Sequence, residues 1–374
     1  MALLLSLTLL APILGTLPQQ DPAARVQAML DSKVRDNQGN GGGVFRIGIG
    51  RDQVLWEGVA GERKRNGGAM QADAQFEIAS VSKAFTAAAL LLMVEEDLLD
   101  LDLPLSHYLP ARYTDGLLTI QGTEYGGTLT LGQMLQHTSG LPDYWNDPPY
   151  VAGAFNAFLW DYTLAPQRLW QPKEILAYVP DLDPISVPGT GWHYADTGFV
   201  IAGLLMEQAD GKPLHEIYRD RIFTPLGMNQ TWLHWREDGP IGAVDSHRYE
   251  GDYDMYTKRQ NSADWAAGGL VSTTSDLQVF VHALCTGGLF TDPASLDAMT
   301  DWVPTGSSGV EYGLGLFRVE FGFGLGEIWG HDGYGNSWMY YWPRHDVSFT
   351  GTLNQTENDW WWMVLGAAFL IEHG

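Results

Sequence analysis

The segment Ala84-Phe85-Thr86-Ala87-Ala88-Ala89-Leu90-Leu91-Leu92-Met93-Val94 is apolar on nearly every face of a helix. A helix with no polar side has nothing to give to water, so it must run through the middle of a protein large enough to surround it. The chain has 374 residues, a size at which roughly 75% of the unfolded surface is buried on folding. Whatever stands at the head of this helix is therefore carried towards the interior. It is Ser80-Val81-Ser82-Lys83. Residues three apart share a helix face, so the Lys83 amine can reach the Ser80 hydroxyl. Serine is a weak nucleophile until a base takes its proton. A lysine in apolar surroundings has a lowered pKa and can be that base. The helix N-terminus adds a positive dipole end beside the serine. The plain alternative is an N-cap serine next to a lysine that snorkels to the surface.

The rest of the chain divides around this helix. Residues 23–34 read as an amphipathic helix, with Val26, Met29, Leu30 and Val34 at helical spacing. Residues 44–49 and 53–59 read as two strands joined by Arg51-Asp52. The glycines between Gly39 and Gly43 precede a strand and do not open a helix, which argues against a dinucleotide fingerprint. From about 98 to 250 the chain is helical and loop-rich, with Pro142, Pro148, Pro149 and Pro180 in connections. Residues 265–284 give a glycine turn and a helix, with a cap among Ser272-Thr273-Thr274-Ser275. Strand character returns at 312–317, 327–329, 337–342 and 347–353, and 359–372 reads as a helix capped by Asn358 or Asp359. The expected class is α/β (α+β): an antiparallel sheet flanked by helices, plus an inserted all-helical lobe. The αβ lobe would comprise about 22–80 and 255–374, and the helical lobe about 81–254.

Charge and cysteine content narrow the function. Lys and Arg total 21 against 45 Asp and Glu, a formal net charge of -24. Such a surface repels phosphate backbones, so nucleic acid is not an expected partner. The single cysteine, Cys285, cannot close an internal disulfide and reads as a buried structural thiol. No Cys cluster and no His-Glu-x-x-His occurs, so no metal is expected, and no Gly-x-Ser-x-Gly elbow points to an α/β-hydrolase. Residues 2–17 are apolar apart from Ser6, Thr8 and Pro12. That run is short for a membrane span and reads as a signal peptide over 1–20, implying a periplasmic or secreted protein. The apolar run at 360–371 is also too short to anchor a membrane.

Two further motifs follow the Ser-x-x-Lys element. Tyr194-Ala195-Asp196 lies in the middle of the chain, and Gly330-His331-Asp332-Gly333 lies between strand-like segments. In order and kind they match the three-motif signature of penicillin-interacting enzymes. The sequence thus resembles the serine β-lactamase and penicillin-binding protein superfamily. Within it, the chain is most similar to the branch of class C β-lactamases, DD-carboxypeptidases and related esterases. Supporting strings are Phe76-Glu77-Ile78-Ala79 before Ser80, Leu135-Gln136-His137-Thr138-Ser139-Gly140-Leu141-Pro142, Pro225-Leu226-Gly227-Met228, Ala267-Gly268-Gly269-Leu270-Val271-Ser272-Thr273 and Tyr312-Gly313-Leu314-Gly315. The resemblance implies a β-lactamase/transpeptidase-like fold over about 22–371. It implies that Ser80 is acylated and that Lys83 and Tyr194 share the base and proton-shuttle work. His331 would take the place usually held by the lysine of Lys-Thr-Gly. The N–H groups of Ser80 and Tyr334, the latter following Gly333, would form the oxyanion hole. No cofactor is implied, and the partner is a small-molecule or peptide substrate.

Two positions depart from the family pattern. Asp196 stands where Asn is usual; an ionised carboxylate only accepts hydrogen bonds and favours the charged form of Lys83. Tyr194 is therefore expected to carry more of the base role than usual, unless Asp196 is protonated or simply holds Lys83. Asp332 replaces a hydroxyl residue that helps hold a substrate carboxylate. If it faces inward it should repel that group; if it points away along the strand it should not. Together these changes disfavour a β-lactamase and leave a carboxylesterase or a peptidase for uncharged or cationic D-residue substrates. An acyltransferase or a penicillin-binding sensor without turnover are the other readings. His137 is expected to be structural and His193 an incidental neighbour. The aromatic stretch from Tyr144-Trp145 to Trp160-Asp161-Tyr162 forms either a lid over the site or core packing.

Overall fold

A computed structural model describes residues 21–36, 41–149, 155–356 and 359–373. The segment read as a signal peptide lies outside the described residues. The chain opens with helix α1, Pro22–Asp36. Two antiparallel strands follow, β1 (Gly42–Ile49) and β2 (Gln53–Gly61). Helix α2, Ser82–Glu95, is the apolar segment, and α3, Asp196–Asp210, carries the second motif at its start. Helix α4, Thr274–Cys285, is capped by Thr273, whose side chain accepts from the Asp276 N–H. The last third supplies β3 (Val303–Pro304), β4 (Val310–Tyr312), β5 (Phe317–Glu320), β6 (Glu327–Gly333), β7 (Ser337–Trp342) and β8 (Val347–Leu353). Helix α5, Trp361–His373, completes the described chain, with the Asp359 carboxylate accepting from the Trp361 N–H.

These eight strands form one antiparallel sheet in the order β3-β4-β5-β6-β7-β8-β1-β2. The start and end of the chain meet where β1 pairs with β8, Ile47 opposite Phe349. All six residues of β7 are buried, so both faces of the sheet are covered. On one face, Phe45, Trp338, Tyr340 and Phe349 pack with Val26 and Leu30 of α1 and Met363 and Val364 of α5. On the other, Val44, Met339 and Tyr341 join a larger core containing α2, α3 and α4. Successive strand residues point to opposite faces. That parity decides which side chains of the third motif reach the site.

The stretch 312–317, read as one strand, is two strands with a turn between them. Gly313 N–H donates to the Leu316 carbonyl at 2.9 Å, and Gly315 has φ +72°. A side chain at Gly315 would collide with the Lys83 carbonyl and Ala87, so this turn is a seat for α2. The β6 strand also runs past Trp329 to Gly333. Among the described residues, no helix is long and apolar enough to cross a membrane.

Candidate active site

Ser80 lies in a single 3₁₀ turn, Ala79–Val81, between a short strand and α2. The residue before it, Ala79, holds φ +44°. A non-glycine residue in that region costs roughly 1–3 kcal/mol and persists only where its surroundings enforce it. The enforcement is visible. Ser82 Oγ accepts from the Leu270 N–H at 3.1 Å, and Thr86 Oγ1 donates to the Ala266 carbonyl at 2.5 Å. These bonds tie the first turn of α2 to the 266–270 segment.

Lys83 is 0% exposed, which rules out snorkelling. Its Nζ lies 3.0 Å from Ser80 Oγ, 2.8 Å from the Ala267 carbonyl and 2.7 Å from Asp196 Oδ1. The Ser80 hydroxyl oxygen and the Ala267 carbonyl accept hydrogen bonds from the ammonium, and Asp196 stands beside it as its ion-pair partner. A charge buried this deeply is tolerable only when paired and hydrogen-bonded, and Asp196 supplies the pairing. Asp196 thus holds Lys83 directly.

The second motif is fixed by the segment 137–143. His137, at φ +62°, accepts the Ala195 N–H on Nδ1 at 3.1 Å, and its carbonyl accepts the His193 N–H at 2.9 Å. Asp143 Oδ1 accepts the Asp196 N–H at 3.2 Å, and Thr197 donates to the Pro142 carbonyl at 2.6 Å. His137 is therefore a structural acceptor. His193 bonds Asp147 at 2.7 Å and does not approach Ser80 through any described contact. The Tyr194 ring lies 4.8 Å from Lys83 Nζ, and its hydroxyl is within hydrogen-bonding reach of Ser80. Burial, reinforced by the Asp196 charge, pushes the Tyr194 phenol well above its ordinary pKa of 10. The phenol therefore keeps its proton at neutral pH.

His331, Asp332 and Gly333 of the third motif, and Tyr334 after it, diverge in what they offer. His331 Nδ1 lies 2.6 Å from the Asp332 carbonyl, which can only accept, so Nδ1 carries a proton. Burial and the nearby Lys83 charge push the ring down to about 3, so it is neutral and Nε2 accepts from the Tyr312 hydroxyl at 3.1 Å. The residue in the lysine's place brings no charge. Asp332 follows strand parity to the opposite face, where it accepts from the Tyr340 hydroxyl at 3.0 Å. Tyr340 in turn stacks near Trp360. The carboxylate is thus held by Tyr340 on the face opposite the His331 ring, while Asp332 still lines the cleft that contains Ser80. Gly333 is needed for close approach. A Cβ there would strike the Ile78 carbonyl, Ala79 and Ser337 Oγ. Ser337 Oγ donates to that same Ile78 carbonyl at 2.8 Å, clamping the β6–β7 hairpin onto the turn that holds Ser80. Tyr334 follows directly; its carbonyl accepts from Arg248 at 3.1 Å and its hydroxyl donates to Glu250 at 3.3 Å.

Ser80, Tyr194, Asp196, His331, Gly333 and Tyr334 line one cleft of about 790 Å³. The aromatic stretch serves both expected purposes. Tyr144 and Phe158 are core, whereas Trp145, Leu159 and Tyr162 wall the cleft. Sequence reasoning missed three contributors. Tyr312, inside a quoted motif, positions His331. Asp143 lies just beyond Gly140-Leu141-Pro142, and Asp264 just before the Ala267-Gly268-Gly269 string. Both carboxyls are raised to about 7, first by burial and then by neighbouring charge, Asp196 in each case among them. Arg248 also lines the cleft but is paired with Glu77 at 3.2 Å. Despite the cost of burial, Arg248 and His234 hold Glu77 at about 2.

With this geometry in hand, comparison with known proteins is informative. The β-lactamase family model matches residues 24–360. Penicillin-binding protein 4* of Bacillus subtilis is 27% identical over 262 residues, 66% of this chain and 52% of that protein. Esterase EstB of Burkholderia gladioli is 30% identical over 233 residues, 59% of this chain and 53% of that protein. The chain spans about half the length of these curated relatives. Among solved structures, a D-stereospecific amidohydrolase from Streptomyces sp. superposes with a TM-score of 0.76 at 30% identity, covering 94% of this chain and 99% of the other. The D-amino acid amidase of Ochrobactrum anthropi SV3 does so with a TM-score of 0.76 at 25% identity and the same coverage. The match along nearly the whole sequence, on a fold that brings the three motifs into one cleft, shows that this chain belongs to the β-lactamase family.

Proposed function

We propose that this chain is a serine hydrolase that forms an acyl-enzyme on Ser80 and releases an ester or amide acyl group to water. The observation that carries the reading is Lys83: fully buried, 3.0 Å from Ser80 Oγ, hydrogen-bonded to the Ala267 carbonyl and ion-paired with Asp196. In this reading Ser80 Oγ attacks the substrate carbonyl while its proton passes to Lys83. Lys83 has first given a proton to Asp196, which frees the lone pair that takes the serine proton and returns the amine to its charged form. The protonated Tyr194 hydroxyl delivers a proton to the leaving group and is refilled from the Lys83–Asp196 pair. Water then deacylates Ser80 by the same path in reverse. The N–H groups of Ser80 and Tyr334 receive the oxyanion, a contribution of about 3–4 kcal/mol per donor in comparable hydrolases. His331, hydrogen-bonded to Tyr312 and the Asp332 carbonyl, shapes the wall of the cleft beside Tyr194.

The absence of a free cation among the described cleft residues disfavours substrates held by a carboxylate, such as β-lactams or a C-terminal D-alanine. Amides and esters without that carboxylate fit better, in line with the amidohydrolase, amidase and esterase among the relatives. The apolar run at 2–17 supports export to the periplasm or medium. A substrate panel tests the assignment: p-nitrophenyl butyrate, alanine p-nitroanilide, nitrocefin and a D-Ala-D-Ala peptide, on wild type and Ser80→Ala. The expected result is turnover of the ester and the anilide, little with the two carboxylates, and none by the variant. Turnover that survives in Ser80→Ala would remove Ser80 from the mechanism.

A further inference from the structure

Four aspartates line the cleft around Ser80, with Glu250 a fifth acidic residue at the rim: Asp143, Asp196, Asp264 and Asp332 are treated very differently by their surroundings. Asp196 is bonded to Lys83 at 2.7 Å. Asp143 accepts from the Asp196 N–H, the Trp145 N–H and, at 2.8 Å, the Asn146 amide. Asp332 accepts from Tyr340 on the far face of the sheet. Glu250 accepts from the Tyr334 hydroxyl and is exposed. Asp264 alone of these has no side-chain hydrogen bond and no ion pair among the described residues, though it lines the cleft.

The two cations nearby are already committed. Lys83 is neutralised by Asp196 and Arg248 by Glu77. Arg248 also spends Nη1 on the Tyr334 carbonyl. His331 contributes no charge. Asp264 therefore lines the substrate space with no ion-pair partner of its own among the described residues, and Arg248 and Lys83, each paired to another carboxylate, act on it only at longer range. It belongs to the segment that grips Lys83, three residues before the Ala267 carbonyl, and Trp145, Leu159, Tyr162 and Met255 give the same cleft apolar walls. In such surroundings a carboxylate is costly unless a cation joins it, and the charge-assisted bond it then makes is strong.

We propose that the cleft selects acyl substrates bearing a protonated amine, and that Asp264 is the residue that binds this ammonium. The proposal rests on the serine-hydrolase reading and names the substrate class within it: amino-acyl amides and esters with a free amino group. Burial raises the Asp264 carboxyl to about 7, so the anion prevails above that pH and a bound ammonium would favour it further. An N-acylated analogue would present an uncharged amide to Asp264, and a substrate carboxylate there would meet like charge.

The test compares alanine p-nitroanilide, in each enantiomer, with its N-acetyl derivative at pH 8, on wild type, Asp264→Asn and Asp264→Glu, with p-nitrophenyl acetate as a reference for acyl-enzyme chemistry. Wild type is expected to favour the free amine at least about 10-fold in kcat/KM. Asp264→Asn is expected to cut that ratio about 10-fold, mostly through KM, and Asp264→Glu to recover part of it. Calorimetric binding of alaninamide to Ser80→Ala, weaker by a similar factor in Ser80→Ala/Asp264→Asn, provides a readout free of catalysis. A wild type indifferent to N-acetylation, or an Asn variant that keeps the full preference, overturns the proposal. Failure of wild type to hydrolyse p-nitrophenyl acetate overturns the hydrolase reading instead.

Discussion

At the α2 side of the cleft, Lys83 and Asp196 form an ion pair 2.7 Å apart, and the ammonium also donates to Ser80 Oγ and the Ala267 carbonyl. On the segment that immediately follows Asn261, the Asp264 carboxyl lines the same cleft with no ion pair of its own among the described residues. Both regions bury charge, yet only one closes it off. The paired region gains geometry: Lys83 can stand in one place only, and that place is beside Ser80 Oγ. The unpaired region keeps an electrostatic demand that a ligand can meet. Matched buried charge orients machinery, and unmatched buried charge selects what binds.

Breaking the paired region should have the largest effect. Lys83→Met is expected to lower kcat/KM for p-nitrophenyl butyrate about 10²–10⁴-fold, the range of a lost general base. It should also destabilise the fold by about 3–5 kcal/mol in urea melts, because Asp196 is left buried and alone. A stable variant would mean that Asp196 does not depend on Lys83. A milder perturbation sharpens the same point. Asp196→Asn removes an anion that raises the Tyr194 phenol. The alkaline limb of the kcat/KM profile is then expected to move to lower pH, and an unmoved limb would take Tyr194 ionisation out of that limb.

The unpaired region makes the opposite prediction for stability. The folded Asp264 carboxyl titrates at about 7, above the ordinary value of 3.8. A raised carboxyl binds more protons folded than unfolded, so its contribution to stability is present at low pH and is lost as pH rises from about 4 to about 7. Asp264→Asn escapes that loss. The variant should equal wild type at pH 4 and exceed it by about 1–3 kcal/mol at pH 8. A variant less stable at pH 8 would mean that Asp264 is paired in solution. Smaller still is the effect of Tyr312→Phe, which deletes the donor to His331 Nε2. We expect a loss of about 1 kcal/mol in stability and a several-fold fall in kcat with KM little changed. Asp332→Asn, which keeps an acceptor for Tyr340 on the far face of the sheet, is expected to alter kcat/KM less than about 3-fold.

How much of this could be read from the sequence follows from range. Local rules carried the helices and hairpins. The apolar face of α1, the Arg51-Asp52 turn between β1 and β2, and Thr273 as the cap of α4 are each set by a few neighbouring residues. The turn at 313–316 escaped because Tyr312, Leu314 and Leu316 alternate as a strand would. What breaks the strand is Gly315 seating on α2, a contact with residues more than 200 positions away. Ser80, Lys83, Tyr194 and His331 were visible because each belongs to a dense motif. Their charge states were not. The neutrality of His331 depends on its burial and the nearby Lys83 charge, and the bond from Tyr340 to Asp332 depends on strand parity within β6. Asp264 carries no motif at all, and its isolation is a property of what fails to surround it.

The central claim is that Ser80 is the acylated atom. Incubation of wild type with a fluorophosphonate, followed by intact-mass measurement and peptide mapping, tests it most directly. The account predicts a single adduct on the peptide containing Ser80, formed slowly in Lys83→Met and not at all in Ser80→Ala. An adduct mapped to another residue, or hydrolysis by an enzyme whose Ser80 remains unmodified after inactivation, would contradict it.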